Sequence, residues 1–194
     1  MEENKEEILN LVGKTRYEHI LRVKDMALEL AKHYNISVEK AEKAAYYHDC
    51  AKSRDYDKLK ELSKQYGLKL TYDMQKAPKI IHAFLGALIA EKKYGVNDPE
   101  ILDAIRYHTT GRENMSLLEK IIFVSDYLEP ARKFEGIDEI RKLAYKDIDM
   151  ALYKCLDRTI VYLIEKEEYL VSETVSARNY IMEKLKWQNS LRHL

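Results

Sequence analysis

Turn-forming residues are scarce. Six glycines and three prolines serve 194 residues, with no repeated Asn-Gly or Asp-Gly pairs, which argues against an all-β sandwich or barrel. Cysteine is nearly absent: Cys50 and Cys155 lie far apart with no Cys-x-x-Cys, which excludes a disulfide scaffold and fits a reducing cytosol. Neither sign of charge dominates, because 33 Lys and Arg face 33 Asp and Glu. A broad nucleic-acid surface is therefore not expected, whereas a local basic pocket for a small phosphorylated molecule is. No apolar run approaches the roughly 20 residues of a membrane span. The opening Met1-Glu2-Glu3-Asn4-Lys5-Glu6-Glu7 is acidic where a signal peptide would be basic and then apolar. The expectation is a cytoplasmic chain without membrane or nucleic-acid partners, able to bury roughly 70% of its unfolded surface in one domain spanning 1–194.

What is present is helical periodicity almost throughout, which predicts an all-α helical bundle. The spacing places His19, Val23, Met26 and Leu30 on one face of a helix over 16–34. Ser37 caps a second helix reaching about Cys50, with Ala41, Ala45, His48 and Lys52 on one face. A short helix over 57–66 stops at Gly67; 68–77 reads as a polar connection. Pro78 starts a helix running through Tyr94, with His82, Leu85, Gly86 and Ile89 inward. Asp98-Pro99-Glu100 opens another, with Ile101, Ile105 and His108 in register. Ser116-Leu117-Leu118-Glu119 is a capping box, and Leu118, Ile122 and Asp126 then recur every four residues. Beyond Pro130, a short helix starts at 136–138. A long one over 148–166 turns Leu152, Cys155, Leu156, Thr159 and Leu163 inward. Ser172 caps a last one over 173–187.

The stretch Ala44-Ala45-Tyr46-Tyr47-His48-Asp49-Cys50-Ala51-Lys52 sits inside this pattern. A buried imidazole beside a buried carboxylate is costly unless paired or bound to a metal. A single inward histidine is ordinarily a satisfied core residue, and a lone His-Asp pair is common. Here His19, His48 with Asp49, His82, His108 and Asp126 occupy inward positions on five separate helices. His33, near a helix end, and His193, in the polar tail, read as solvated. Imidazole plus carboxylate suits a first-row divalent metal in a site with open positions. Such a metal polarises phosphoryl oxygens and brings a bound water's pKa to about 7.

The order His19…His48-Asp49…Asp126 resembles the HD-domain superfamily of metal-dependent phosphohydrolases, and His82 and His108 resemble its subset with extra histidines. Several stretches are similar to the bacterial YqeK family: Arg16-Tyr17-Glu18-His19, His48 through Lys52, Ile81-His82-Ala83, Tyr107 through Gly111, Ser125 through Arg132, and Thr174 through Asn179. That family comprises symmetrical diadenosine-tetraphosphate hydrolases, which release two ADP. The resemblance implies an iron cofactor on His19, His48, Asp49 and Asp126, with other first-row metals suited to the same ligands. His82 and His108 would face phosphate as donors or general acid, or hold a second metal. Asp49, Lys52, His82 and His108 are the catalytic set it implies. His19, Lys52, Thr109, Asp126 and Arg132 join them around the phosphates, and Tyr169, Leu170, Val171, Ser172, Glu173 and Thr174 would contact the nucleotide.

On this reading a core over about 16–130 is closed by C-terminal helices over 137–187. Lys52 also reads as a solvated surface lysine and Arg132 as a partner of Glu129 or Glu135. Arg178 and Asn179 read equally as helix anchors. Most of the fifteen tyrosines should sit at the core edge, with one or two stacking on adenine. The same metal core would serve a nucleotidase, a ppGpp hydrolase or a cyclic-dinucleotide phosphodiesterase. A non-catalytic nucleotide-binding module is the reading from a different class. A two-fold homodimer is expected only from the general frequency of such assemblies.

Overall fold

Capping chemistry sets most helix starts. Ser37 accepts a hydrogen bond from the Lys40 amide, Asp55 from Asp57 and Lys58, Thr71 from Met74, Asp98 from Glu100, and Asp147 from Met150. Ser116 and Glu119 form the reciprocal capping box. The computed structural model describes residues 4–191; His193 lies outside them. Its α-helices run in order α1 (Lys5–Val12), α2 (Lys14–His33), α3 (Val38–Tyr47), α4 (Tyr56–Tyr66), α5 (Tyr72–Lys76), α6 (Ile81–Lys92), α7 (Pro99–Tyr107), α8 (Leu117–Leu128), α9 (Ile137–Ala144), α10 (Ile148–Glu165) and α11 (Ser172–Leu191). No strand occurs among the described residues.

The centre is built by α2, α3, α6, α7 and α8: α2 packs on α3 and α8, and α7 packs on α3, α6 and α8. Ile20, Leu30, Leu85, Ile105, Leu118, Ile122 and Leu128 are fully buried between them. Each such side chain contributes about 1.5–3 kcal/mol by leaving water. Buried residues occur all round α6, as expected of a helix covered by neighbours rather than a surface one. At Gly86, a Cβ would lie 3.5 Å from the His48 carbonyl and 3.6 Å from Cys50 Sγ, so the turn after α3 lies directly on the α6 backbone. On the C-terminal side, α10 packs on α8, α9 and α11.

Two helices depart from expectation. The acidic N-terminus forms α1, which buries Ile8 and packs on α2; a single apolar contact row in eight residues is too short a repeat to register as periodicity. Within 68–77, α5 buries Met74 behind a Thr71 cap. Three boundaries also shift. The helix expected to reach Cys50 ends at Tyr47, and His48 through Ala51 form a turn. The segment from Pro78 begins as a 3₁₀ turn over Pro78–Ile80 before α6. Ser172 is the first residue of α11, and its hydroxyl bonds Asp73. Along α10, Leu152, Cys155 and Leu156 are buried, whereas Thr159 and Leu163 are half-buried on a cavity wall. Arg178 anchors α11 to α10 through Asp157 at 2.7 Å and the Tyr153 hydroxyl at 3.0 Å. His33 is exposed against the rings of Tyr34 and Tyr145.

Candidate active site

Three histidines are held by one device. His48 Nδ1 lies 2.6 Å from the Ala45 carbonyl, His82 Nδ1 2.6 Å from Lys79, and His108 Nδ1 2.7 Å from Ile105. In each case the carbonyl belongs to the residue three positions back. A carbonyl only accepts, so this pattern assigns the proton to Nδ1 and leaves Nε2 a bare lone pair. His48 and His108 sit at the C-terminal caps of α3 and α7, where the last helical turn supplies free carbonyls. His82 follows the 3₁₀ turn in the same way. The fourth histidine, His19 on α2, places Nδ1 3.3 Å from Glu129 Oε1. Glu129 is held in turn by Arg22 at 2.7 Å and the Ala131 amide at 2.8 Å.

The bare nitrogens meet the carboxylates. His19 Nε2 is 3.0 Å from Asp126 Oδ1 and 3.7 Å from Asp49 Oδ2; His48 Nε2 is also 3.7 Å from Asp49 Oδ2. His82 Nε2 lies 3.1 Å from Asp49 Oδ1 and 3.1 Å from His108 Nε2. His19 Nε2, His48 Nε2, Asp49 Oδ1 and Asp126 Oδ1 are buried and complete no well-aligned hydrogen bond among the described residues. Acceptors facing acceptors at this range repel, and leaving them unsatisfied costs about 1–3 kcal/mol each. A shared cation turns that repulsion into ligation. The grouping fits: donor atoms of His19, His48 and Asp126, and separately of His48, Asp49 and His108, lie within 4.8 Å of one another. His48, His108 and Asp126 stand at or within a turn of helix C-termini, the partially negative end that favours cations. The donor set suits a divalent metal.

Burial pushes the His48 imidazole down to about 4. Burial and the nearby Lys52 ammonium push His82 to about 3. Both are therefore neutral at pH 7 and ready to ligate. With Nδ1 as the donor to the Lys79 carbonyl, His82 turns its Nε2 lone pair to the site, the form in which an imidazole ligates a metal. Burial works against ionisation of Asp49, but any proton carried by the surrounding imidazoles, His48 first, favours the carboxylate and holds its titration well below the usual range. Lys52, half-buried, sets Nζ 3.1 Å from His82 Nε2. Burial lowers its pKa, with Asp49 and Asp126 opposing, so the solvated-surface reading fails.

This cluster floors a cavity of about 800 Å³. Arg16, Lys52, Lys76, Lys79 and Arg132 line it together with the carboxylates Asp49, Asp126, Glu167 and Glu168, and Thr109 and Thr110 add hydroxyls. Arg132 is 3.6 Å from Asp126 and 3.9 Å from Glu129. At the far end Tyr169, Val171 and Thr174 line the wall. Leu170, Ser172 and Glu173 do not line it: Ser172 opens α11, and its hydroxyl bonds Asp73 at 3.0 Å and Glu173 at 3.2 Å. Tyr169 is tied to Asp73 at 2.7 Å.

Sequence reasoning assigned no site role to four contributors. Arg16, one turn before His19 on α2, bonds Asp49 at 2.9 Å. Glu129 lies three residues after Asp126 at the end of α8, a spacing that shares a face. Thr159 and Tyr162 line the cavity from α10; Thr159 reads as part of that helix's core stripe, and Tyr162 falls outside the stripe.

Against known proteins, the HD domain model matches residues 16–131. The chain is 39% identical over 183 residues to the "Bis(5'-nucleosyl)-tetraphosphatase, symmetrical" of Bacillus subtilis (strain 168), spanning 92% of this chain and 98% of that protein. It is 40% identical over 170 residues to the protein of the same name from Staphylococcus aureus (strain NCTC 8325 / PS 47), spanning 85% and 86%. A crystal structure from Clostridium acetobutylicum, described as a "predicted HD superfamily hydrolase involved in NAD metabolism", superposes with a TM-score of 0.90 at 41% identity, over 94% of this chain and 97% of that one. This chain accordingly belongs to the HD domain family, on the branch occupied by the symmetrical bis(5'-nucleosyl)-tetraphosphatases.

Proposed function

We propose that this chain hydrolyses a dinucleoside tetraphosphate symmetrically, diadenosine tetraphosphate foremost, into two nucleoside diphosphates. The observation that carries this is the convergence of unprotonated imidazole nitrogens and carboxylate oxygens at the floor of a cavity whose lining includes Arg16, Lys52 and Arg132. The names of the similar tetraphosphatases fix the substrate class.

His19, His48, Asp49 and Asp126 would hold the metal, with His48, Asp49 and His108 grouped for a second ion. We assign iron on the family resemblance. A bound divalent metal supplies Lewis-acid polarisation of a phosphoryl oxygen and a water acidic enough to attack near neutrality. The chain's own groups do the rest. Arg132, Arg16 and Thr109 orient the polyphosphate, the guanidinium forks matching phosphate oxygens. Water oxygen bonds to a phosphorus beside the central bridging oxygen, and that P–O bond breaks. One product keeps the water oxygen and the other keeps the bridging oxygen. Lys52, its ammonium pKa lowered by burial, gives the leaving oxygen a proton from Nζ. The proton of the attacking water passes to solvent through the open cavity, because His82, held at about 3, is too weak a base to keep it near neutrality. The C-terminal segment at Tyr169, Val171 and Thr174 closes the nucleoside end over the core.

No helix among the described residues is long and apolar enough to cross a membrane. Cys50 and Cys155 are free and buried, which supports our assignment to the reducing cytoplasm. A two-fold homodimer is our expectation for the assembly.

The test is a product assay: metal-loaded protein given diadenosine tetraphosphate should yield two ADP per substrate. His48→Ala and Asp49→Ala should keep helical circular dichroism and lose at least about 10²-fold in turnover, as loss of metal-site support does. Full turnover in either variant, or ATP plus AMP as products, refutes the proposal.

A further inference from the structure

A second cavity of about 740 Å³ adjoins the first. The two share Asp126, Arg132, Thr159 and Tyr162. Thr159 and Tyr162, one turn apart on α10, form the ridge between them. Beyond the ridge the second cavity is walled by Tyr127, Phe134, Asp157, Arg158, Val161 and Glu165. Tyr127 and Phe134 meet edge to face at 5.4 Å, and the Arg158 guanidinium lies 4.9 Å over the Phe134 ring. Val161 and Tyr162 remain 52% and 51% exposed, an apolar and aromatic surface turned to the cleft rather than the core.

Symmetric cleavage sets a geometric requirement. A dinucleoside tetraphosphate cut at its central bridge carries a nucleoside diphosphate on each side of the scissile bond. The first cavity runs from the metal-ligating cluster toward Tyr169 and accommodates one such half. The other half must leave the same point by another route. The second cavity begins at Asp126 and Arg132, beside that cluster, and its size falls within the range of small-ligand sites. Rings and a guanidinium plane suit a purine, because base stacking needs only a π-face.

We infer that the second cavity is the subsite for the other nucleoside diphosphate half. Arg132 touches both halves, and Tyr162 divides them. This rests on the hydrolase reading above, but it can fail separately.

The test uses ADP, the product, as probe on metal-loaded protein, with stoichiometry read by calorimetry. Wild type should bind two ADP per chain. Arg158→Glu and, independently, Val161→Glu change exposed side chains and should leave folding intact. Each should weaken one ADP site at least about tenfold and leave the other unchanged. In turnover, each should raise KM for diadenosine tetraphosphate about tenfold while leaving KM for adenosine 5'-tetraphosphate, which has one nucleoside, within twofold. One ADP per chain in wild type overturns the inference. So does loss of neither site in both variants, or sedimentation showing that both variants merely dissolve a dimer while ADP binding stays as in wild type. Two ADP bound with no cleavage would refute the hydrolase and leave the paired subsites standing.

Discussion

Glu129 never faces a phosphate, yet it decides which nitrogen of His19 is available. Its Oε1 takes the Nδ1 proton at 3.3 Å, and Arg22 and the Ala131 amide fix the carboxylate. Carboxylates behind a ligating imidazole typically contribute 10–100-fold in metal affinity. Glu129→Gln should therefore weaken metal binding by roughly 10–100-fold, with helicity retained; titration with a competing chelator reads this directly. His48 and His82 make a second prediction at the same scale. Burial holds both below the ordinary histidine range, at about 4 and about 3. The unfolded chain accepts protons near pH 6.5 that the folded imidazoles refuse. Stability of metal-free protein should thus be fully present above pH 6.5 and decline as pH falls toward 4, by as much as about 1.4 kcal/mol per pH unit for each group. Metal competes with the proton for the same nitrogen, so adding it should move the acid transition to lower pH. Acid unfolding followed by circular dichroism, with and without metal, checks both.

At the scale of the element, the site depends on where helices stop. His48 and His108 can bond carbonyls three residues back because α3 and α7 end at Tyr47 and Tyr107. Gly111, at φ 67°, turns the chain after α7, and a Cβ there would approach Ala177 to 3.1 Å. Gly86 lets α6 support the His48 turn at van der Waals range. Gly86→Ala should be near neutral or gain up to about 1 kcal/mol from helix propensity, because the added methyl meets ordinary contacts. Gly86→Leu should cost about 1–3 kcal/mol by overpacking and weaken metal binding by displacing His48; denaturant melts beside metal titration separate the two effects. This dependence also explains which parts were legible in sequence. The inward positions of His19, His48, His82, His108 and Asp126 follow from spacing, since side-chain period is local. Where α3 ends is not local: alanines continue the helical pattern through Ala51, and only packing of the turn on Gly86 accounts for the stop. Short α5 falls below the length at which a repeat can be recognised, and that Thr159 and Leu163 line a cavity rather than the core is a tertiary fact that period alone does not carry.

For the whole molecule, net charge is a poor guide to the field a substrate meets. The 33 basic and 33 acidic residues cancel in sum, but Arg16, Lys52, Lys76, Lys79 and Arg132 share one cavity wall. Their charges are not all spent locally. Arg16 is held by Asp49 and Lys79 by Glu168 at 2.5 Å, while Lys76 pairs with no carboxylate among the described residues and lies 5.3 Å over the Tyr72 ring. A tetraphosphate carries several negative charges, so approach should be accelerated by this patch and slowed by screening. Between about 0.05 and 0.5 M salt the screening length shrinks from roughly 14 to 4 Å. The expected result is a fall of about tenfold in kcat/KM, with kcat changing far less because charges within contact distance of the bound phosphates are screened weakly. Lys76→Ala should flatten the salt slope while sparing metal content, since no metal-ligating group touches it. A kcat/KM indifferent to salt would mean that short-range contacts alone capture the substrate, and that the cationic wall serves to hold the C-terminal segment through Glu168 instead.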